Sequence, residues 1–158
     1  MYEIDGPYLF KQGKHAGEYL EEVVFKNPGY IIACNRYRDG RNVNRFQKHL
    51  EALLENAPTT TKKCSICGEK SVKYFLFLNH EDVNEKLCCC ENPECQNDLK
   101  MNHPGDYLLP IKLKSILVGR TKGQINAILR LIKKVTGIKK VNAEDIFSIF
   151  IGEPLKKA

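Results

Sequence analysis

Cys64-Ser65-Ile66-Cys67-Gly68 and Cys90-Glu91-Asn92-Pro93-Glu94-Cys95, separated by a 22-residue spacer, decide how this chain is read. The first pair leaves two residues between its thiols, so both sulfurs can face one point, and Gly68 permits the tight turn behind them. The second pair sits at a turn marked by Asn92-Pro93. Two thiolates from each of two turns make a closed tetrahedral S₄ set, the arrangement of a structural zinc; a catalytic zinc keeps a position open. The chain has seven cysteines, six of them between Cys64 and Cys95. An odd number with no secretory leader argues for metal over a disulfide framework. The expected ligands are Cys64, Cys67, Cys90 and Cys95 on one structural Zn²⁺. In a strand over 86–90, Cys88 and Cys90 share a face and Cys89 takes the other, which makes Cys88 the reserve ligand. His80 and His103 are close enough in sequence to substitute.

The spacer supplies what such a site needs. Val72-Lys73-Tyr74-Phe75-Leu76-Phe77-Leu78 is β-rich, Lys86-Leu87-Cys88-Cys89-Cys90 can pair with it, and residues 79–84 are a polar connection. A lone hairpin is marginal in water, so the metal is expected to hold it together. With the Cys-x₂-Cys-Gly and Cys-x₄-Cys knuckles and the internal Asn92-Pro93-Glu94, residues 62–100 resemble the four-cysteine zinc ribbons at the C-terminal ends of type IA DNA topoisomerases. That resemblance implies a four-cysteine ribbon and an association with single-stranded DNA. Tyr74, Phe75 and Phe77 are then candidates for base stacking, or else the hairpin's own core.

Charge is divided unevenly around this centre. Residues 1–60 hold eight Lys/Arg and eight Asp/Glu, residues 61–106 six and eight, and residues 107–158 eleven and three. The last third therefore exceeds the net charge of +6 carried by the whole chain. A basic end on a neutral body suggests a polyanionic partner. A helix is expected from Thr121 to Val135, with Ile125, Ile128, Leu129, Ile132 and Val135 in one arc. Lys122, Asn126, Arg130, Lys133 and Lys134 fill an adjacent arc. Gly137 stops it as a C′ residue, and Lys139-Lys140 extend the basic surface. Asn142-Ala143-Glu144-Asp145 opens a final helix to Ile151, whose Ile146, Phe147 and Phe150 can cover the apolar arc; Gly152 and Pro154 end it. Residues 110–118 alternate and read as a strand or extended arm.

The N-terminal residues read as a small α+β unit. Helices are expected over 18–26, from Pro28 with Asn27 as N-cap, and over 43–57. Tyr30, Ile31, Cys34 and Tyr37 form one apolar stripe, and Phe46, Leu50, Leu53, Leu54 and Ala57 form another. Cys34 on such a stripe reads as a small buried apolar residue. Phe10-x₂-Gly13-Lys14-x₂-Gly17-x₂-Leu20-x₂-Val23 followed by Asn27-Pro28-Gly29-Tyr30-Ile31 resembles the C-terminal domain of exonuclease X-like proteins over residues 8–37. Two positions depart from that pattern, Asn27 where an acidic residue stands and Ala33 where a Trp is frequent. The resemblance implies an association with nucleic-acid metabolism. Gly13, Lys14 and Gly17 read as a plain turn or a small anion-binding loop.

Several classes are excluded. Apolar runs such as Phe75-Leu76-Phe77-Leu78 fall far short of a membrane span. The N-terminus, with Glu3 and Asp5, has no apolar leader region, so a cytoplasmic protein with no membrane partner is expected. There is no HExxH, no nucleophile elbow and no carboxylate cluster at metal spacing, so no enzymatic activity is expected. The combined expectation is an α+β chain in three parts: a small helical N-terminal unit (1–58), a central four-cysteine zinc ribbon on a β-hairpin (62–103), and a C-terminal helical basic unit (107–158). The function expected of it is to bind nucleic acid, DNA ahead of RNA, through phosphate contacts from Lys122, Arg130, Lys133, Lys134, Lys139 and Lys140. The alternative is a zinc-ribbon adaptor that docks a protein partner.

Overall fold

Asparagine and threonine caps set where the chain turns helical. In the computed structural model, Asn92 Oδ1 accepts the Glu94 N–H at 2.9 Å and starts α4 (Pro93–Met101). Thr121 Oγ1 accepts the Gln124 N–H at 3.1 Å and starts α5 (Lys122–Thr136). Asn142 Oδ1 accepts from Glu144 and Asp145 and starts α6 (Ala143–Phe150). Each such cap is worth about 1 kcal/mol. The remaining elements are α1 (Leu20–Lys26), α2 (Pro28–Arg36), α3 (Arg45–Glu55), β1 (Tyr74–Leu78), β2 (Asp82–Cys89), β3 (Tyr107–Pro110) and a 3₁₀ helix (Leu113–Val118). The structure describes residues 4, 6–36, 45–78, 82–104, 106–119 and 121–151. Tyr37, the start expected for the third helix at 43–44, residues 79–81 with His80, and the Gly152 and Pro154 stop lie outside them.

The chain is mixed α+β, and its contacts group it into two compact units, residues 1–56 with 140–158 and residues 57–139. The three-part layout read from the sequence is therefore drawn differently here: the stretch over 107–158 is shared between the two units.

The first unit is helical, and α6 packs on α1 within it. Glu22 on α1 accepts the Ala143 N–H at 3.1 Å, which fixes the start of α6. Leu20, Val23, Val24, Ile31, Leu50, Leu53 and Ile146 are almost completely buried. Glu21 and His49 are both fully buried and meet at 2.5 Å through Oε2 and Nε2. Glu21 Oε1 also accepts the Tyr8 N–H at 3.1 Å. This pair ties α1 to α3, and removing either partner would strand a buried polar group. Ahead of α1, residues 10–18 close a loop through Phe10 N–H to Glu18 and Gly17 N–H to Phe10, both at 2.9 Å. Gly13 and Gly17 stand at φ +89 and +87, where only glycine is unstrained. The loop wraps its own buried His15, held between Glu18 Oε2 at 3.2 Å and Asn27 Nδ2 at 3.1 Å, with the Tyr30 ring edge-on.

The second unit is built on an antiparallel sheet of order β2-β1-β3. Tyr74 pairs with Cys89 and Phe75 with Cys88, the register slips between Phe75 and Phe77, and β3 pairs Leu76 with Leu108. Pro110 ends the edge strand, where a missing N–H costs no ladder bond. Phe75, Leu76 and Phe77 are all buried, so both faces of β1 are covered. One face carries Leu76 and Cys89 against Leu99 of α4. The apolar arc of α5, with Ile128, Ile132 and Val135 fully buried, packs on β2 and the 3₁₀ helix; α6 belongs to the other unit. The arm expected over 110–118 is strand only to Pro110 and then coils into the 3₁₀ helix, burying Leu113, Ser115 and Ile116. Ser115 Oγ donates to the Pro110 carbonyl at 2.6 Å and closes that turn.

Membership of α6 in the first unit has a direct readout. Ile146→Ala should cost about 2–5 kcal/mol. It should also speed amide exchange in Leu20–Lys26, measured by hydrogen–deuterium exchange. Unchanged protection of α1 would refute this packing.

Candidate metal centre and basic concavity

The sulfurs of Cys64, Cys67, Cys90 and Cys95 lie within 4.8 Å of one another, and Cys67 Sγ is 4.0 Å from Cys90 Sγ. A tetrahedral ion with bonds of about 2.3 Å to sulfur would set neighbouring sulfurs about 3.8 Å apart. The four positions therefore fit such an ion, and together they could hold one.

Backbone geometry aims each pair. The Cys64 N–H donates to Lys70 at 2.7 Å and the Gly68 N–H to Cys64 at 3.0 Å, so the chain reverses around the first two thiols, with Gly68 at φ +70. The Ile66 N–H points at Cys64 Sγ, 3.4 Å away. Ser65 laces this knuckle to β2: its N–H donates to the Cys88 carbonyl at 2.9 Å and its Oγ accepts the Cys88 N–H at 3.4 Å. In the second pair, Cys90 follows the end of β2 and Cys95 stands in the first turn of α4. Gln96 Nε2 donates to the Glu91 carbonyl at 2.9 Å and braces that turn.

The thiols differ in acidity for stated reasons. Burial works against the Cys64 thiolate, but the N–H groups of Cys67, Ile66 and Cys90 outweigh it and bring Cys64 down to about 6. N–H groups of Glu69 and Lys70 lower Cys67. Burial and the neighbouring Cys90, Cys64 and Cys67 push Cys95 up to about 12. Four thiols this close cannot all ionise unless a cation compensates them. Cys67 is exposed and the other three are buried, so the centre opens to solvent on one side.

The reserve position is corrected by the register. β2 ends at Cys89, so strand alternation does not carry through to Cys90. Cys89 packs in the same cluster as Cys90, Cys64 and Cys95, while Cys88 pairs with Phe75 on the opposite face. Burial pushes the Cys89 thiol up to about 12, with Cys64 and Cys90 adding to it, which suits an apolar packing role. Neither Cys88 nor His103 belongs to the sulfur cluster among the described residues. Phe75 and Phe77 are core, so they present no stacking surface; Tyr74 is half-buried against the cysteine cluster.

Four of the six basic residues gather at the C-terminal end of α5. Arg130, Lys133, Lys134 and Lys139 line a concavity of about 390 Å³, with Gly137 and Ile138 completing it. Lys122 is the first residue of α5, about 18 Å along the axis from Lys134 at 1.5 Å per residue. Lys140 falls in the other compact unit. Gly137 is the left-handed C′ residue expected, at φ +83. Sequence reading missed that Gly137 and Ile138 line a recess; the signal available was a stop glycine between two lysine pairs.

No family model matches the chain, and neither a curated protein nor a solved structure matches it. No helix among the described residues is long and apolar enough to cross a membrane.

The ligand set is checked by substitution. Cys67→Ser, Cys90→Ser and Cys95→Ser should each remove bound metal, measured by emission spectrometry on purified protein. Cys88→Ala and Cys89→Ala should retain one equivalent. Loss of metal in Cys88→Ala alone would reassign the fourth ligand.

Proposed function

We propose that this chain is a non-enzymatic zinc-ribbon protein that binds nucleic acid, DNA ahead of RNA, through its phosphates. The observation that carries the reading is the recess on α5. Four of the six cations singled out in the sequence gather there, on a helix that packs directly on a strand of the cysteine-bearing sheet. Cys64, Cys67, Cys90 and Cys95 hold one structural Zn²⁺, which contributes on the order of 10–16 kcal/mol to folding of the ribbon unit. Lysine and arginine neutralise phosphates without reading bases, so the binding is weakly sequence-selective. The resemblances to topoisomerase ribbons and to exonuclease X-like C-terminal domains support a place in nucleic-acid metabolism.

A second reading, a ribbon that docks a protein partner, draws on Met101 and Tyr107. These large apolar side chains are 81% and 61% exposed on the ribbon unit.

Fluorescence anisotropy with labelled DNA and RNA separates the two. Phosphate binding predicts affinity that falls steeply between ~50 and 200 mM salt. Replacing Arg130, Lys133 and Lys134 together with Ala should weaken binding tenfold or more while leaving the circular dichroism spectrum intact. Salt-insensitive or absent binding would favour the adaptor.

A further inference from the structure

Cations near a helix C-terminus have an ordinary explanation: they answer the exposed carbonyls and the negative end of the helix dipole. At the end of α5 that explanation is incomplete, because two of the last four carbonyls, those of Lys133 and Val135, are already occupied. Lys133 O accepts the N–H groups of Gly137 and Ile138, both at 3.0 Å. Ile132 O accepts the Thr136 hydroxyl at 2.6 Å. Val135 O accepts the Thr61 N–H at 2.7 Å and the Thr61 hydroxyl at 3.3 Å. The helix end is thus capped from within and by the segment leading to the ribbon. No described acidic side chain pairs with Arg130, Lys133 or Lys139.

Arg130, Lys133 and Lys134 stand at i, i+3 and i+4, one turn of one helix face. Lys139 reaches the same recess after Gly137 reverses the chain. Four positive charges therefore converge on about 390 Å³. An internal phosphodiester carries a single negative charge and needs no recess. A phosphomonoester carries about −1.5 to −2 at pH 7 and offers three acceptor oxygens. The volume lies at the lower end of small-ligand sites and exceeds what a phosphate alone would fill. The buried Ile138 gives it an apolar wall, and Gly137 has no side chain to obstruct entry.

We propose that this recess is a seat for a terminal phosphate on a nucleotide, the phosphorylated end of a strand or a free nucleotide with the same group. This deepens the phosphate-binding reading above and rests on it. Arg130 supplies a forked donor for two phosphate oxygens, and Lys133, Lys134 and Lys139 supply point charges around them.

The test compares two short single strands of one sequence, labelled at the 3′ end, one with a 5′-phosphate and one with a 5′-hydroxyl, against the metal-loaded full chain. The seat predicts about tenfold tighter binding of the phosphorylated strand. The advantage should fall to near onefold in Arg130→Ala/Lys133→Ala/Lys139→Ala and persist in Lys122→Ala. Lys139→Gln alone, outside the helix, should reduce it severalfold and guards against misfolding of the triple variant. Competition by adenosine monophosphate or pyrophosphate at the affinity of the strand would identify free nucleotide as the source; competition at least tenfold weaker would identify strand ends. Equal affinity for the two strands, with a steep salt slope retained, would overturn the seat and leave backbone binding standing. Absence of binding to either strand and to the free nucleotide would overturn both.

Discussion

Four sulfurs within 4.8 Å of one another are the constraint on which the second unit depends. The sheet beneath them has short strands of five, eight and four residues, with α4 and α5 packed on β2. The backbone spends much of its local bonding on bringing the sulfurs together: a reversal at Gly68, a serine lacing to β2, a capped helix behind Cys95. Bringing them together creates a concentration of potential negative charge, most of it inside the protein, which protonation or a bound cation must relieve. A cation held there would cross-link two turns that are 22 residues apart in the chain, with α4 and the sheet packed around them.

The four-cysteine cluster was legible because its chemistry is written in residue identity and spacing. Cys-x₂-Cys-Gly and Cys-x₄-Cys specify turns whatever surrounds them. Helix starts were legible at Thr121 and Asn142 for the same reason, since a cap is a local bond. What failed was local alternation used across an element boundary. The strand stops at Cys89, one residue before Cys90, so the face of Cys90 is set by a turn and not by the pleat. Helix α4 was missed because its polar sequence, Pro-Glu-Cys-Gln-Asn-Asp-Leu-Lys-Met, buries only Cys95 and Leu99. The buried Glu21–His49 pair was missed because nothing in either residue's neighbourhood in the sequence announces the other, 28 positions away.

The destination of the two C-terminal helices was also out of reach. Both have clear apolar arcs, and two adjacent amphipathic helices with a short connection read naturally as partners. Periodicity shows that an arc must be covered and says nothing about what covers it. Here α5 packs on β2 and the 3₁₀ helix, while α6 packs on α1. The basic recess is a by-product of the first choice. With its apolar arc turned to the sheet, α5 is left with Arg130, Lys133 and Lys134 on its outer side, and the turn at Gly137 brings Lys139 round to them.

That α6 completes a unit begun by α1 has a consequence for how the protein is made. On a ribosome, the helices of the first unit emerge early but lack Ile146 until roughly ninety further residues have been added. At ordinary synthesis rates this is a wait on the order of 5–20 s. The segment from Ala57 to Lys139, continuous in the chain, can close first. Helix α1 stays without its α6 partner meanwhile, an interval in which the nascent chain is open to aggregation or to a chaperone.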